Sequence, residues 1–432
     1  MQIKANYRIL SLILIFISFS SLFLGFYLDE NSAGAGSYKG DIKIIWKNLQ
    51  IFLANDIISS LQHQDYFSSR TPVVYVLHKI FNPFVEDIIS YRRSVFTISL
   101  ALPILFYFCL KQKFIKEDNI LLFLISSTVC LSPYYRTSSY WGLEENYGLI
   151  FLLLAFLSLN GFLKNEKQNG HKVHLLLFIS TFFSSCCVYF DQKLIIIPII
   201  CFIKIITSNK LLKFKSFAVF YYLLLSLPYI YLIISWGGLI PTALLESRKL
   251  GKEIFLIHIG YSLTIISFYL LPLLLFKDKN VVNLVKDFFF NKKNYYFICL
   301  FIIYLVYLIG FYDFNVQSIA GKGFVHKISL VLFNENLSRM IFVYFSFFIS
   351  WIIILIYIEN KLSDILTIAY LLILSIFLWP MFQEYFDPLI LLMVFTFFGT
   401  KVIINYRNST ILYIYLSLLL IGSNIYYAKL LN

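Results

Sequence analysis

The chain reads as an all-α polytopic transmembrane helix bundle, and three observations predict that class. Hydrophobic residues make up 59% of the 432 and charged residues only 14%, with a mean hydropathy of +0.78, whereas a soluble globule carries about a quarter charged residues. Apolar runs of roughly 15 to 20 residues recur along the whole length, each long enough to cross most of a hydrocarbon core about 30 Å thick. Inside lipid every backbone group needs an internal partner, so these runs are expected as helices.

Taken in order, the runs give about thirteen spans, with soft boundaries, in a single integral-membrane domain over 1–432: 9–28, 94–110, 119–132, 147–163, 173–190, 194–208, 217–236, 255–276, 295–312, 340–358, 365–379, 389–404 and 411–427. Val173 to Thr207 and Ile365 to Ile404 are each too long for one crossing. The first is interrupted only at Asp191-Gln192-Lys193 and the second only from Pro380 to Pro388, so each reads as a hairpin.

The net charge of +13 raises the question of nucleic acid, and its distribution answers it. With the N-terminus inside, alternate connections collect Lys4 and Arg8, then Lys111, Lys113 and Lys116, Lys164 and Lys172, and the lysines from Lys277 to Lys293. That bias sets topology rather than binding nucleic acid, and places these lysines against anionic lipid. It predicts a cytoplasmic N-terminus and an external C-terminus. The first run reads as a retained helix, because some 20 apolar residues exceed a signal-peptide core and Asp29-Glu30 follows at once.

All six cysteines fall in or beside apolar runs without metal spacing, which makes them packing residues. His171 and His174 share a helix start but have no third ligand, so the sequence leaves any metal, a divalent cation included, undetermined.

Residues 29–93 depart from simple hairpins and form a long first external loop, the candidate catalytic loop. Asp29-Glu30 leaves the first span, a glycine-rich stretch follows, and Asp41 opens a segment in which Ile44, Ile45, Leu49, Phe52 and Ile57 recur against Lys47, Asn48 and Asp56. This is helical spacing, and Val73 to Phe81 repeats it. Two interfacial amphipathic helices are therefore expected on the outer leaflet. Lys277 to Asn294, with Val281, Val282, Leu284, Val285 and Phe288 to Phe290, reads as a third interfacial helix on the other side.

These features together resemble the GT-C superfamily of integral-membrane glycosyltransferases. The resemblance rests on Asp29-Glu30 at the exit of the first span, on Arg70-Thr71-Pro72-x-x-Tyr75, on Tyr91-Arg92-Arg93-Ser94, on Leu131-Ser132-Pro133 with Leu143-Glu144-Glu145-Asn146-Tyr147, and on Phe382 to Pro388 around Glu384. The stretch Asp29 to Asp41 is also similar to the opening of bacterial membrane proteins encoded with surface-polysaccharide assembly enzymes. The resemblance implies transfer of a sugar from a polyprenyl-phosphate donor to a glycan or lipid-linked acceptor, at the external face of a bacterial cytoplasmic (inner) membrane.

A phosphate leaving group departs without a strong general acid, so one carboxylate can serve as base while cations hold the phosphate. The resemblance thus makes Asp41, Asp29 and Glu30 the expected bases, in that order. Arg70, Arg92, Arg93 and Arg136 become expected phosphate ligands, with Glu144, Glu145 and Glu384 as further substrate contacts. Each has a plainer reading: arginines that snorkel, glutamates at a helix N-terminus, and Asp191 and Lys193 neutralising each other in a turn. A surface-polysaccharide polymerase is the nearest alternative. A flippase for lipid-linked glycan is the alternative of another class, and it calls for internal repeats and deep charges.

Overall fold

The computed structural model describes residues 2–33, 37–68, 70–164, 170–209, 211–238, 254–312, 314, 321–359, 361–378 and 380–431. Glu246, Arg248, Lys249, Lys252, Glu253, Asp313 and Trp379 lie outside them. Among the described residues every regular element is a helix.

The helices gather into two compact units, one of residues 1–248 with 416–432 and one of 249–415. The first unit contains α1 (Gln2–Tyr27), α2 (Ser37–Ala54), α3 (Ile57–Leu61), α4 (Val73–Phe81), α5 (Ile88–Ser99), α6 (Ala101–Lys113), α7 (Asn119–Ser127), α8 (Pro133–Trp141), α9 (Glu145–Lys164), α10 (His171–Phe190), α11 (Ile196–Ile206) and α12 (Leu212–Trp236). The second contains α13 (Ile257–Leu270), α14 (Val281–Phe290), α15 (Lys292–Phe311), α16 (Gly323–Leu332), α17 (Asn336–Ile358), α18 (Leu362–Ser375) and α19 (Leu389–Phe395). The last helix, α20 (Tyr406–Leu431), contributes its C-terminal part to the first unit.

Eight helices among the described residues are long and apolar enough to cross a membrane: Ala5–Tyr27, Ile88–Lys113, Glu145–Lys164, His171–Phe190, Leu212–Trp236, Asn294–Phe311, Asn336–Ile358 and Tyr406–Ala428. Their outward faces carry Phe16, Leu24, Leu223, Ile234, Ile303 and Phe345 in the open. Apolar surface on that scale belongs in lipid rather than water.

Not all of the thirteen expected runs are single helices of that length among the described residues. Four apolar helices are shorter, at Asn119–Leu131, Ile257–Leu270, Gly323–Leu332 and Leu362–Ser375, and 194–208 divides into a 3-10 turn and the eleven residues of α11. The clearest departure is 389–404. Its helix stops at Phe395, and the chain then runs irregularly because its amides bond elsewhere: Gly399 and Thr400 N–H donate to the Asp364 carboxylate, each at 2.8 Å, and Ile403 N–H to the Phe276 carbonyl at 2.7 Å. Leu389 to Phe398 is apolar because it is buried within the second unit.

In the first unit α1 and α7 start at one end, where α6 and α9 finish. Arg8 near the start of α1 bonds Asp118 before α7 at 2.7 Å, and Lys164 at the end of α9 donates to the Gln112 carbonyl in α6. The opposite end of the same helices gathers the C-terminus of α1 and the starts of α5 and α9.

Candidate functional site

The organising element at that opposite end is α8. Ser132 caps it by accepting the Tyr135 N–H at 3.0 Å, Pro133 suits its first turn, and Gly142 at φ +73° closes it. A side chain at Gly142 would be strained and would meet the Tyr91 ring. This short helix carries Arg136 inward and delivers Glu144 and Glu145 to the start of α9.

Arg136 is enclosed. Its Nε donates to Glu30 Oε2 at 2.8 Å, a second guanidinium nitrogen bonds the same oxygen, and further N–H groups reach the carbonyls of Ser21 at 2.6 Å and Cys130 at 3.1 Å. The other oxygen of Glu30 accepts from Asn424 of α20 at 2.8 Å. Gly25 leaves the space for this clamp, since a methyl group there would overlap Glu30, Arg136 and Tyr140. Arg136 keeps only 3% of its side-chain exposure and Glu30 9%. Both groups are bonded on several sides, which offsets the desolvation of a buried pair.

Asp29, the preceding residue, faces the other way. It takes left-handed backbone at φ +53°, a conformation Asp tolerates better than most residues. Its carboxylate accepts from Arg92 at 2.9 Å and stays 54% exposed. Arg92 also donates to the Tyr140 carbonyl at 2.9 Å and lies over the Trp141 ring at 4.0 Å, a cation–π arrangement that fixes its plane. The consecutive acids are therefore inequivalent: one is locked inside and the other is presented.

A second knot forms from the first loop. Arg70 bonds Glu144 at 2.6 Å and also Glu145, and Tyr75 donates to the other Glu144 oxygen at 2.9 Å. The five-residue spacing of Arg70 and Tyr75 thus lets both grip one carboxylate. Asn48 of α2 reaches the Tyr75 hydroxyl at 3.2 Å and the Phe67 carbonyl at 2.8 Å. Burial pushes the Tyr75 phenol well above its usual range, and the negative charge of Glu144 adds to this, so Tyr75 remains a proton donor. One oxygen of Glu145 is buried without a hydrogen bond. Lys193 pairs with Asp191 at 2.8 Å in the turn after α10, the self-neutralising arrangement.

His78 of α4 supports this knot. Asn82 Nδ2 lies 2.8 Å from its Nδ1 and the Tyr147 hydroxyl 2.9 Å from its Nε2, which assigns the proton to Nε2. Burial pulls its pKa down to about 4, so the ring is neutral.

The remaining expected residues are placed as follows. Asp41 is exposed at the fifth position of α2, Arg93 is exposed on α5, and Glu384 sits in a 3-10 turn, Gln383–Tyr385, of the second unit. Sequence reasoning assigned no role to Asn48, His78, Tyr147 or Asn424. Asn48, grouped with the polar side of its segment in the sequence, is buried. Tyr135 and Tyr140 are fully buried. Among the described residues no cluster of three His, Cys, Asp or Glu is arranged to hold a metal ion, and His174 packs against Phe214 and Phe217.

Compared with family models, curated proteins and solved structures, the chain matches none.

Proposed function

We propose that this protein is a membrane glycosyltransferase of GT-C type, which moves a sugar from a polyprenyl-phosphate donor to a glycan or lipid-linked acceptor on the external face of a bacterial inner membrane. The observation that carries the reading is the pairing of Asp29 with Arg92 at one end of the first unit. There a half-exposed carboxylate and an oriented guanidinium lie 2.9 Å apart, beside a buried framework that fixes both. Transfer between a lipid-borne phosphate and an acceptor hydroxyl calls for that combination.

In this reading Asp29 comes before Asp41 as the base, because Arg92 stands beside it. Glu30 becomes a framework residue through its clamp with Arg136. The acceptor hydroxyl gives its proton to Asp29 while its oxygen bonds the anomeric carbon. The bond from that carbon to the phosphate oxygen breaks, and polyprenyl phosphate leaves with the electron pair, held by Arg92 with Arg93 close by in sequence. Arg70 is committed to Glu144 and Glu145 and therefore shapes the loop rather than holding phosphate.

The test is a reconstitution in lipid with a panel of polyprenyl-phosphate sugars and glycan acceptors. Wild-type protein is expected to form a new glycosidic bond and release polyprenyl phosphate. Movement of the lipid across the bilayer with no new bond would replace this reading with that of a transporter.

A further inference from the structure

The helix α14, Val281–Phe290, has no part in the proposed chemistry, yet it has three distinct faces. Leu284 and Phe288 are buried, one helical turn apart. Val282 and Phe289 are exposed and lie on an adjoining flank, given 100° per residue. Lys286 borders that flank, and Asn283 and Asp287, also exposed, follow it round the helix. A helix that only packed on protein would expose a polar surface alone; this one exposes an apolar flank beside a charged one.

Its position accounts for the extra face. Asn280 caps it by accepting the Val282 N–H, and Asn294 of α15 donates to the Phe288 carbonyl at 2.8 Å. The Tyr295 hydroxyl reaches the Phe289 carbonyl at 2.9 Å. One residue, Asn291, separates α14 from α15, whose apolar stretch Asn294–Phe311 is long enough to cross a membrane. At this junction Phe290 is 84% and Tyr296 75% exposed, a setting in which aromatic rings belong at a membrane boundary.

The charges then identify the surface that covers the flank. Residues 277–293 hold five lysines and two aspartates. Lys277 is buried and paired with Glu359 at 2.9 Å, and Lys279 is paired with Asp287 at 2.6 Å. Lys286 and Lys292 are exposed and have no carboxylate partner among the described residues.

We propose that α14 lies on the membrane surface, with Val282 and Phe289 in the acyl boundary and with Lys286 and Lys292 bound to anionic phospholipid headgroups. The inference does not depend on the glycosyltransferase reading.

The full chain in nanodiscs of phosphatidylcholine, or of phosphatidylcholine with phosphatidylglycerol, tests it by amide hydrogen exchange over 281–290. Exchange is expected to slow in the anionic discs by about five-fold or more, since each lysine near such a surface contributes roughly 1 kcal/mol. The variant Lys286→Glu with Lys292→Glu is expected to lose that difference while α17 exchanges as before. Equal exchange in both lipids would overturn the proposal, as would a difference that survives the double variant. Equal protection in lipid-free detergent, accompanied by a dimeric mass, would assign the face to a second copy of the chain instead.

Discussion

Arg92 and Arg136 are only 44 positions apart and both bond a carboxylate, but burial separates what they do. Removing one partner from the enclosed Arg136–Glu30 pair leaves a buried charge, at a cost of about 3 to 5 kcal/mol. Arg136→Gln is therefore expected to lower the unfolding midpoint sharply or prevent accumulation of folded protein. In the Asp29–Arg92 pair the carboxylate is half exposed and the ion pair contributes at most about 1 kcal/mol, so Arg92→Gln should lower the midpoint far less than Arg136→Gln and lose transfer. Thermal unfolding of both variants in detergent, with the transfer assay on whichever folds, checks the contrast.

His78 supplies a pH dependence. Its folded pKa of about 4 lies below the ordinary 6.5, so between those values the unfolded chain binds more protons. Its contribution is complete above about pH 6.5 and is lost as pH falls toward 4, amounting to roughly 3 kcal/mol. His78→Gln is expected to flatten the dependence of the unfolding midpoint on pH in that window. An unchanged slope would contradict the assignment of a neutral, buried ring.

At the scale of elements, what could be read in the sequence followed periodicity. The spacing over Val73 to Phe81 marks a helix, whereas the helix starts capped by Asp56, Asp87 and Asp118, whose side chains accept backbone N–H groups, emerge from the structure. The run 389–404 misled for a physical reason: a segment buried in protein is as apolar as one buried in lipid. What holds it as an irregular segment is Asp364, which accepts from the Gly399 and Thr400 amides and from the Thr400 hydroxyl at 2.6 Å. Asp364→Ala leaves those donors buried without a partner and is expected to cost about 3 kcal/mol. Limited proteolysis within 396–405 is the direct measurement, with cleavage accelerated in the variant. The seven-residue α19 and the short α8 were equally hard to foresee, since each depends on where the neighbouring loops take their hydrogen bonds.

At the scale of the whole molecule, composition determined the class and long-range pairing determined the candidate site. Asp29, Glu30, Arg92, Arg136, Glu144 and Glu145 were all recognisable as charges at the ends of apolar runs. Which acid is presented and which is locked away was not, because the answer depends on Gly25, on Tyr140 and on Asn424, which is 394 positions from its partner Glu30. The same dependence makes the central claim testable with one substitution. Asp29→Asn is nearly isosteric at a half-exposed position, so the purified variant should unfold at the wild-type midpoint. In the reconstituted assay with a polyprenyl-phosphate sugar, the account predicts a fall in glycosyl transfer of about a hundred-fold or more, the usual contribution of a general base. Transfer within a few-fold of wild type, by a variant that folds normally, would contradict it.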